Sequence, residues 1–349
     1  MKCLAIVKSA VLCIGLTAGV GIVPSHAQEA VLRVHYYLPA AAPIARNLIT
    51  PWAKAIEAES KGRIKFELYP SMQLGGTPSQ LFDQVKDNVA DIVLALPGGT
   101  PGRFPKSETF ELPFIAANGQ QSSQAVWEFY QKHLQDEFDG VHMLAAFTHS
   151  PGVLHVKGNG VHKLEDMKSL KLRGPSRMVN RLLETLGATP VGLPMPTVPD
   201  ALSKGVIDGT LVPWEVVTPL RVHEIVKTHT EFSGNRSLYV GVLIFAMNKK
   251  KYDSLPPDLK SIIDKHSGME LSQRAGKVVD EADKPAIEAA KKRGNSIVVL
   301  DAAETIRWRE LSQKVYDGWI ADQKSKGIDG QALIDDAKMM VSKYAGSVQ

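Results

Sequence analysis

The order of segments in this chain predicts an α/β protein of two similar lobes with a cleft between them. Three observations carry that expectation. The first hundred residues read β-α-β-α-β, a second series of the same kind begins near residue 170, and no long linker separates the two. Alternating strand and helix patterns imply a parallel sheet with helices on both faces. Without a linker, the chain is expected to cross between the lobes more than once.

Residues 31–37 alternate and are rich in β-branched and aromatic types, which predicts a first strand. Pro39 and Pro43 end it. Residues 44–60 place Ile44, Leu48, Trp52, Ala55 and Ile56 at helical spacing and stop before Gly62. A strand follows at 64–69, then a helix at 78–88 with Leu81, Phe82 and Val85 on one face. The near-continuous apolar run at 90–96 suits a buried parallel strand. Residues 110–114 form a short apolar segment closed by Pro113, followed by a helix at 120–135 and a strand at 141–147. The second series comprises strands at 170–173, 191–193 and 209–212, with helices at 178–186 and 198–204 ended by Gly187 and Gly205. A strand at 238–247 precedes a long helical stretch at 257–293, where Pro285 predicts a kink or a break. A strand at 296–300 and helices at 302–324 and 331–344 complete the chain.

The N-terminus sets the compartment. Lys2 and Lys8 flank a basic start, residues 10–23 are apolar with Gly15, Gly19 and Gly21 inside, and Ser25-His26-Ala27 supplies a small-x-small site. That is the pattern of a secretory signal removed after Ala27, and the periplasm is the expected location. The apolar stretch is short and glycine-rich beside the about 20 residues a membrane span needs. Both cysteines, Cys3 and Cys13, fall inside the signal, so the mature chain has no disulfide, thiolate metal site or cysteine nucleophile. Roughly 320 residues remain, enough to rest on a core as one large domain or two lobes. Loss of Lys2 and Lys8 takes the formal charge from +4 to +2, and a nucleic-acid partner would call for a concentrated basic patch.

Few motifs suggest chemistry. Gly98-Gly99-Thr100-Pro101-Gly102 follows a strand but lacks the Gly-Lys-Ser/Thr ending of a phosphate loop. Gly75-Gly76 reads as a turn. The histidines are scattered without a His-x-x-x-His pair beside a helical glutamate, and no Gly-x-Ser-x-Gly elbow occurs. No catalytic residue, metal or cofactor is therefore expected. Arg173 differs in standing where an apolar strand ends, before Gly174-Pro175. Strand ends facing a crevice are where open α/β sheets place ligands. A guanidinium is a planar fork of donors suited to a carboxylate. His149 ends the 141–147 strand and is expected to face the cleft as a hydrogen-bond donor; Trp214 and Glu215 follow Pro213 at another strand end, and Tyr36 and Tyr37 close the first strand.

Several segments together resemble the periplasmic solute-binding proteins of tripartite ATP-independent periplasmic (TRAP) transporters, the dicarboxylate-binding-protein-like family. They are Tyr69-Pro70-Ser71-Met72-Gln73-Leu74-Gly75-Gly76, Asp91-Ile92-Val93, Leu112-Pro113-Phe114, and the run from Leu164 to Arg173. They continue with Leu186-Gly187-Ala188-Thr189-Pro190-Val191, the run from Ala201 to Gly209, and Met247-Asn248-Lys249 with Leu255-Pro256. The resemblance covers essentially the whole mature chain. It implies a two-lobed periplasmic binding protein fold with a central cleft, a hinge, and a long helix spanning both lobes, for which 257–293 is the expected stretch. It implies a lobe I at 28–150 plus about 238–278, a lobe II at about 151–237 plus about 279–330, and a C-terminal helix at 331–349. It also implies that Arg173 is the family's selectivity arginine, and that the partners are a small carboxylate and the membrane permease subunits. A monomer without enzymatic activity is expected.

One departure concerns the ligand. Many members carry asparagine just before the proline that follows the Asp-Gly pair; Val212 stands there. With Trp214, Tyr36 and Tyr37, Val212 favours an aromatic or branched monocarboxylate. No second cation is evident beside Trp214 to hold a second carboxylate, and Glu215 would repel one. A dicarboxylate or sugar acid, or a sensor role with a membrane signalling partner, are the alternatives.

Overall fold

The computed structural model describes residues 29–345. The expected signal segment with both cysteines, and the last four residues of the expected C-terminal helix, lie outside them. Among the described residues the strands are β1 (Ala30–Tyr36), β2 (Ile64–Tyr69), β3 (Ile92–Ala95), β4 (Val141–Thr148), β5 (Gly152–Val156), β6 (Lys171–Gly174), β7 (Thr189–Gly192), β8 (Gly209–Pro213), β9 (Thr228–Phe232), β10 (Val242–Asn248) and β11 (Ser296–Leu300). The helices are α1 (Thr50–Glu59), α2 (Leu81–Lys86), α3 (Gly119–Phe129), α4 (Arg177–Thr185), α5 (Val198–Ser203), α6 (Trp214–Val217), α7 (Lys249–Asp253), α8 (Pro257–Lys265), α9 (Met269–Lys292), α10 (Ala302–Ser325) and α11 (Gly330–Lys343).

The strands form two sheets, β2-β1-β3-β10-β4 and β11-β9-β5-β8-β6-β7. In the first, β1 runs parallel to β2 and β3, while β10 is antiparallel to both its neighbours. In the second, β6 runs parallel to β7 and β8, while β5 is antiparallel to β8 and β9. Each odd strand is the first one made after the chain changes lobe: β5 directly follows β4, and β10 directly follows β9. Central strands such as β3 and β10 are buried along their whole length, as strands covered on both faces must be.

The sequence patterns named no strand at 152–156 or 228–232, yet both are present. Gly-Val-Leu-His-Val is a short buried run with no alternation, and Thr-His-Thr-Glu-Phe has a polar majority. Their place in the sheet is decided by their neighbours, not by their own periodicity. The expected break at Pro285 is also absent. Helix α9 continues through Pro285, and the interruption falls at Gly268 (φ +82°), where the backbone N–H bonds to Leu144 O at 2.7 Å. Proline removes one intrahelical bond, but α9 is held from both sides: it packs on α3 and β4 beside the first sheet and on α6 and β11 beside the second. Asp280 of α9 accepts the N–H groups of Gly119 (2.7 Å) and Gln120 (2.8 Å), filling orphan donors at the start of α3.

The two strand crossings, 149–151 and 233–241, are stitched to each other. His149 Nδ1–H donates to Ser150 O at 2.6 Å, and its Nε2 accepts the Gly241 N–H at 2.8 Å. Gly152 N–H donates to Tyr239 O at 3.0 Å, and the Tyr239 ring lies against the bare Gly152 Cα. A Cβ on Gly152 would stand 1.9 Å from Tyr239 Cε1. Gly152→Ala is therefore expected to lower unfolding stability by about 1–3 kcal/mol through overpacking. Urea unfolding checks this; wild-type stability in the variant would show that the crossings are loosely fitted.

Candidate functional site

The site is built at the end of β6. Arg173 pairs in register with Val191 of β7 and Thr210 of β8, and Ser176 caps α4 three residues on, accepting the Val179 N–H at 3.4 Å. The strand end and the helix start converge there on a cavity of about 250 Å³. Its walls come from both lobes: Tyr37 and Leu96 from the first, Arg173, Ser176, Arg177 and Asn180 from the second.

Arg173 is only 2% exposed. Its Nε donates to Leu193 O at 2.9 Å and Nη1 to Leu211 O at 3.2 Å, and among the described residues no carboxylate is in ion-pair range. Burial lowers its pKa to about 10, so it stays charged at neutral pH. Buried charges are normally paired. Here the counter-charge is not supplied by the protein, and the guanidinium lines a cavity. The buried phenols of Tyr37 and Tyr239 lie within its field, each pushed up chiefly by burial. Tyr239 Oη, Asn180 Oδ1 and Glu111 Oε2 are buried without a hydrogen-bond partner. Burial pushes Glu111 up to about 8, which keeps its carboxyl largely neutral. The Glu111 carboxyl also presses on the Gly98 backbone, where a Cβ would be 2.2 Å from Oε1. A carboxyl in that place is the opposite of what a phosphate loop needs.

Of the residues the sequence singled out, Arg173 and Tyr37 share this cavity, and the other five do not line it. Tyr36 points to the other face of β1 and is buried in the core, as strand alternation requires. His149 cannot donate to a ligand, because both ring nitrogens are taken by backbone groups; burial lowers its pKa to about 4 and keeps it neutral. Val212 is fully buried, and its carbonyl accepts from His155 Nε2 at 3.0 Å. Trp214 donates Nε1 to Glu231 at 2.6 Å and packs against His229 at 4.6 Å. Its ring borders a different cavity, of about 390 Å³, whose walls include Glu231 and Asp283. Arg236 lines the same cavity, with Nη1 donating to Ile115 O at 2.9 Å, and burial pushes Asp283 up to about 8.

Glu215, on α6, faces the first strand crossing. Ser150 Oγ lies 3.0 Å from Glu215 Oε2 and 2.7 Å from Asp283 Oδ1. One hydroxyl proton serves one carboxylate, so the other carboxyl must bring its own proton to Oγ. Burial pushes both carboxyls up, helped by Asp283 at Glu215 and by Asp280 and Glu231 at Asp283, in keeping with a shared proton. Ser150 sits in a strand crossing and Asp283 on the spanning helix.

Sequence reasoning missed Arg177, Asn180, Glu108, Glu111 and Tyr239. Arg177 opens α4 and lines the cavity. It makes a two-pronged pair with Glu108 of the other lobe, Nε to Oε1 at 2.9 Å and Nη2 to Oε2 at 2.6 Å, and bonds Asp322 through Nη1 at 2.9 Å. Arg177 stands four residues after Arg173 and just past a serine cap, a spacing that could have marked it. Glu108 and Tyr239 carry no local signal.

The chain belongs to the bacterial extracellular solute-binding proteins of family 7, whose sequence model matches residues 34–323. It is a TRAP-type solute-binding protein with the two-lobed fold of that group. It is 30% identical over 323 residues to the outer membrane transporter protein TsaT of Comamonas testosteroni, covering 89% of this chain and 91% of that one. A TRAP solute-binding protein from Rhodoferax ferrireducens, solved with copurified benzoate, is 42% identical with a TM-score of 0.89, over 91% of this chain and 99% of that chain. A marine metagenome TRAP solute-binding protein specific for aromatic acids, solved with 3-hydroxybenzoate, is 42% identical with a TM-score of 0.90, over the same shares. Among the described residues no helix is long and apolar enough to cross a membrane.

The buried titratable groups fix a pH dependence. Glu111 and Glu137, raised by burial to about 8 and about 7, hold protons in the folded state that the unfolded chain has lost. Their contribution to stability is full below the unfolded carboxylate pKa and is lost as pH rises through those values. Glu215 and Asp283 act in the same direction. His149 and His229, lowered by burial to about 4, act oppositely, but only below the unfolded histidine pKa of about 6.5. From pH 6.5 to 8.5 the carboxyls act alone, so the urea midpoint is expected to fall. Asp283→Asn and Glu111→Gln should each flatten that fall; a midpoint that rises with pH would contradict the assignment.

Proposed function

We propose that this protein is the periplasmic solute-binding component of a TRAP transporter, capturing an aromatic or branched monocarboxylate and delivering it to the membrane permease. The observation that carries this reading is the fully buried Arg173 guanidinium, charged, without a carboxylate partner among the described residues and facing an interlobe cavity. A ligand carboxylate completes the pair. The apolar part of the wall, from Leu96, Pro101, Pro175, Leu193, Pro194 and Met195, suits a flat or branched hydrocarbon body. Relatives solved with benzoate and with 3-hydroxybenzoate support the same class of ligand. The role is non-catalytic, in keeping with a family and structural neighbours that are solute-binding proteins. The protein acts as a monomer after removal of a signal at Ala27.

A thermal-shift screen tests the ligand class, because a ligand that binds only the folded state raises its melting temperature. Benzoate, hydroxybenzoates, phenylacetate and branched 2-oxo acids are expected to outrank succinate, malate and sialic acid. A dicarboxylate or sugar acid as the tightest ligand would overturn the monocarboxylate reading. Arg173→Met should weaken binding by roughly 2–5 kcal/mol. The same substitution should leave the ligand-free protein at least as stable as wild type, since it removes an unpaired buried charge. Wild-type affinity in Arg173→Met would place the ligand elsewhere.

A further inference from the structure

Two guanidinium groups, Arg173 and Arg177, line the same cavity. Two cations in one small cleft ordinarily suit a dicarboxylate, and the walls alone do not explain a preference for one negative charge. The difference lies in what stands behind each arginine. Arg173 is bonded only to backbone carbonyls. Arg177 is held by two carboxylates: Glu108, through both prongs, and Asp322, which also takes Arg181 Nη2 at 2.8 Å. Glu108, Asp322, Arg177 and Arg181 make a neutral set of two anions and two cations. Glu111 is largely protonated. The net charge presented to a ligand is therefore that of Arg173 alone.

Glu108 is fixed for this task. It is 3% exposed, does not itself line the cavity, and receives Trp319 Nε1 at 3.2 Å on the oxygen that takes Arg177 Nη2. Its own segment, the short helical turn Ser107–Glu111, belongs to the lobe opposite Arg177. Three of the Arg177 nitrogens thus point at protein carboxylates, and the two-pronged geometry leaves the planar fork no free edge toward Glu108 for a second ligand carboxylate.

We propose that Glu108 is the residue that makes this cleft a one-anion site, by occupying Arg177 and so excluding dicarboxylates that would otherwise use it. The proposal rests on the reading of this cavity as the ligand site. Selectivity here is a difference of affinities: a dicarboxylate must bury its second charge unpaired or break the Arg177–Glu108 pair, and a monocarboxylate does neither.

Calorimetric titration of benzoate, phthalate, isophthalate and terephthalate against wild type, Glu108→Gln, Glu108→Gln/Arg177→Gln and Arg173→Met tests it. In Glu108→Gln the preference for benzoate over the best dicarboxylate should fall by roughly tenfold or more as Arg177 is released. The double variant, with no freed cation, should return to the wild-type preference, which a merely structural role for Glu108 would not produce. Should Glu108→Gln fail to fold, Glu108→Asp carries the same test with a smaller shift in the same direction. An unchanged preference in a folded single variant overturns the proposal, even if every acid binds more weakly. Benzoate binding that survives Arg173→Met overturns the site reading instead, and the proposal with it.

Discussion

The Arg173 guanidinium keeps its charge at 2% exposure with only carbonyl oxygens as partners among the described residues, and the cleft is organised around that imbalance. Carbonyl dipoles orient the fork but do not cancel a full charge, so its desolvation is not offset within the chain. The position is reached because β6 ends where two lobes meet, and because Gly174-Pro175 stops the strand one residue past the arginine. The low-dielectric setting that makes the unpaired state costly also makes a matched anion effective.

Other acidic groups near the cleft are kept from serving as that anion. Glu111 is neutralised by burial, Glu108 is committed to Arg177 and Trp319, and Glu215 shares a proton with Asp283 through Ser150. Each device differs, yet the outcome is common: one uncompensated positive charge faces the cavity. The histidines add nothing to it. His149 is pinned neutral between Ser150 and Gly241. His155 and His229 meet at 2.6 Å between their Nδ1 atoms, with Asn295 and Val212 O completing a neutral chain in the second lobe.

The lobes are joined by two strand crossings and by α9. The two strand crossings are tied to each other by His149 and by the Gly152–Tyr239 contact, while α9 runs across both lobes and carries Asp280 to the start of α3 and Asp283 to Ser150 in the first crossing. Tyr239 of the second crossing also lies in the field of Arg173, the arginine that lines the cavity. The Arg177–Glu108 pair adds a contact that only neighbouring lobes can make. The strand crossings, Arg173 and the interlobe pair are thus brought close together by a few polar side chains.

The alternation of strand and helix patterns determined the two-lobed α/β architecture, because each pattern reports a local periodicity that burial on a sheet then uses. It also marked Arg173 and Tyr37, since a charged or aromatic residue at a strand end stands out against an apolar run. Trp214, Glu215, Tyr36 and His149 stood out for the same reason, and Val212 for replacing an asparagine common in the family, but a strand end has two faces, and sequence does not say which one meets the cleft. Strands β5 and β9 were hidden because their burial comes from pairing with β8 and with each other, not from their own pattern. Pro285 did not break α9 because packing on both lobes outweighed one lost hydrogen bond. Tertiary structure alone decided that Glu108 reaches Arg177 across 69 residues of chain, that Tyr239 stands beside Arg173, and that Arg173 is left without a carboxylate partner among the described residues. Charge pairing in a buried cleft depends on distances of a few ångströms between segments remote in sequence, and no local pattern encodes them.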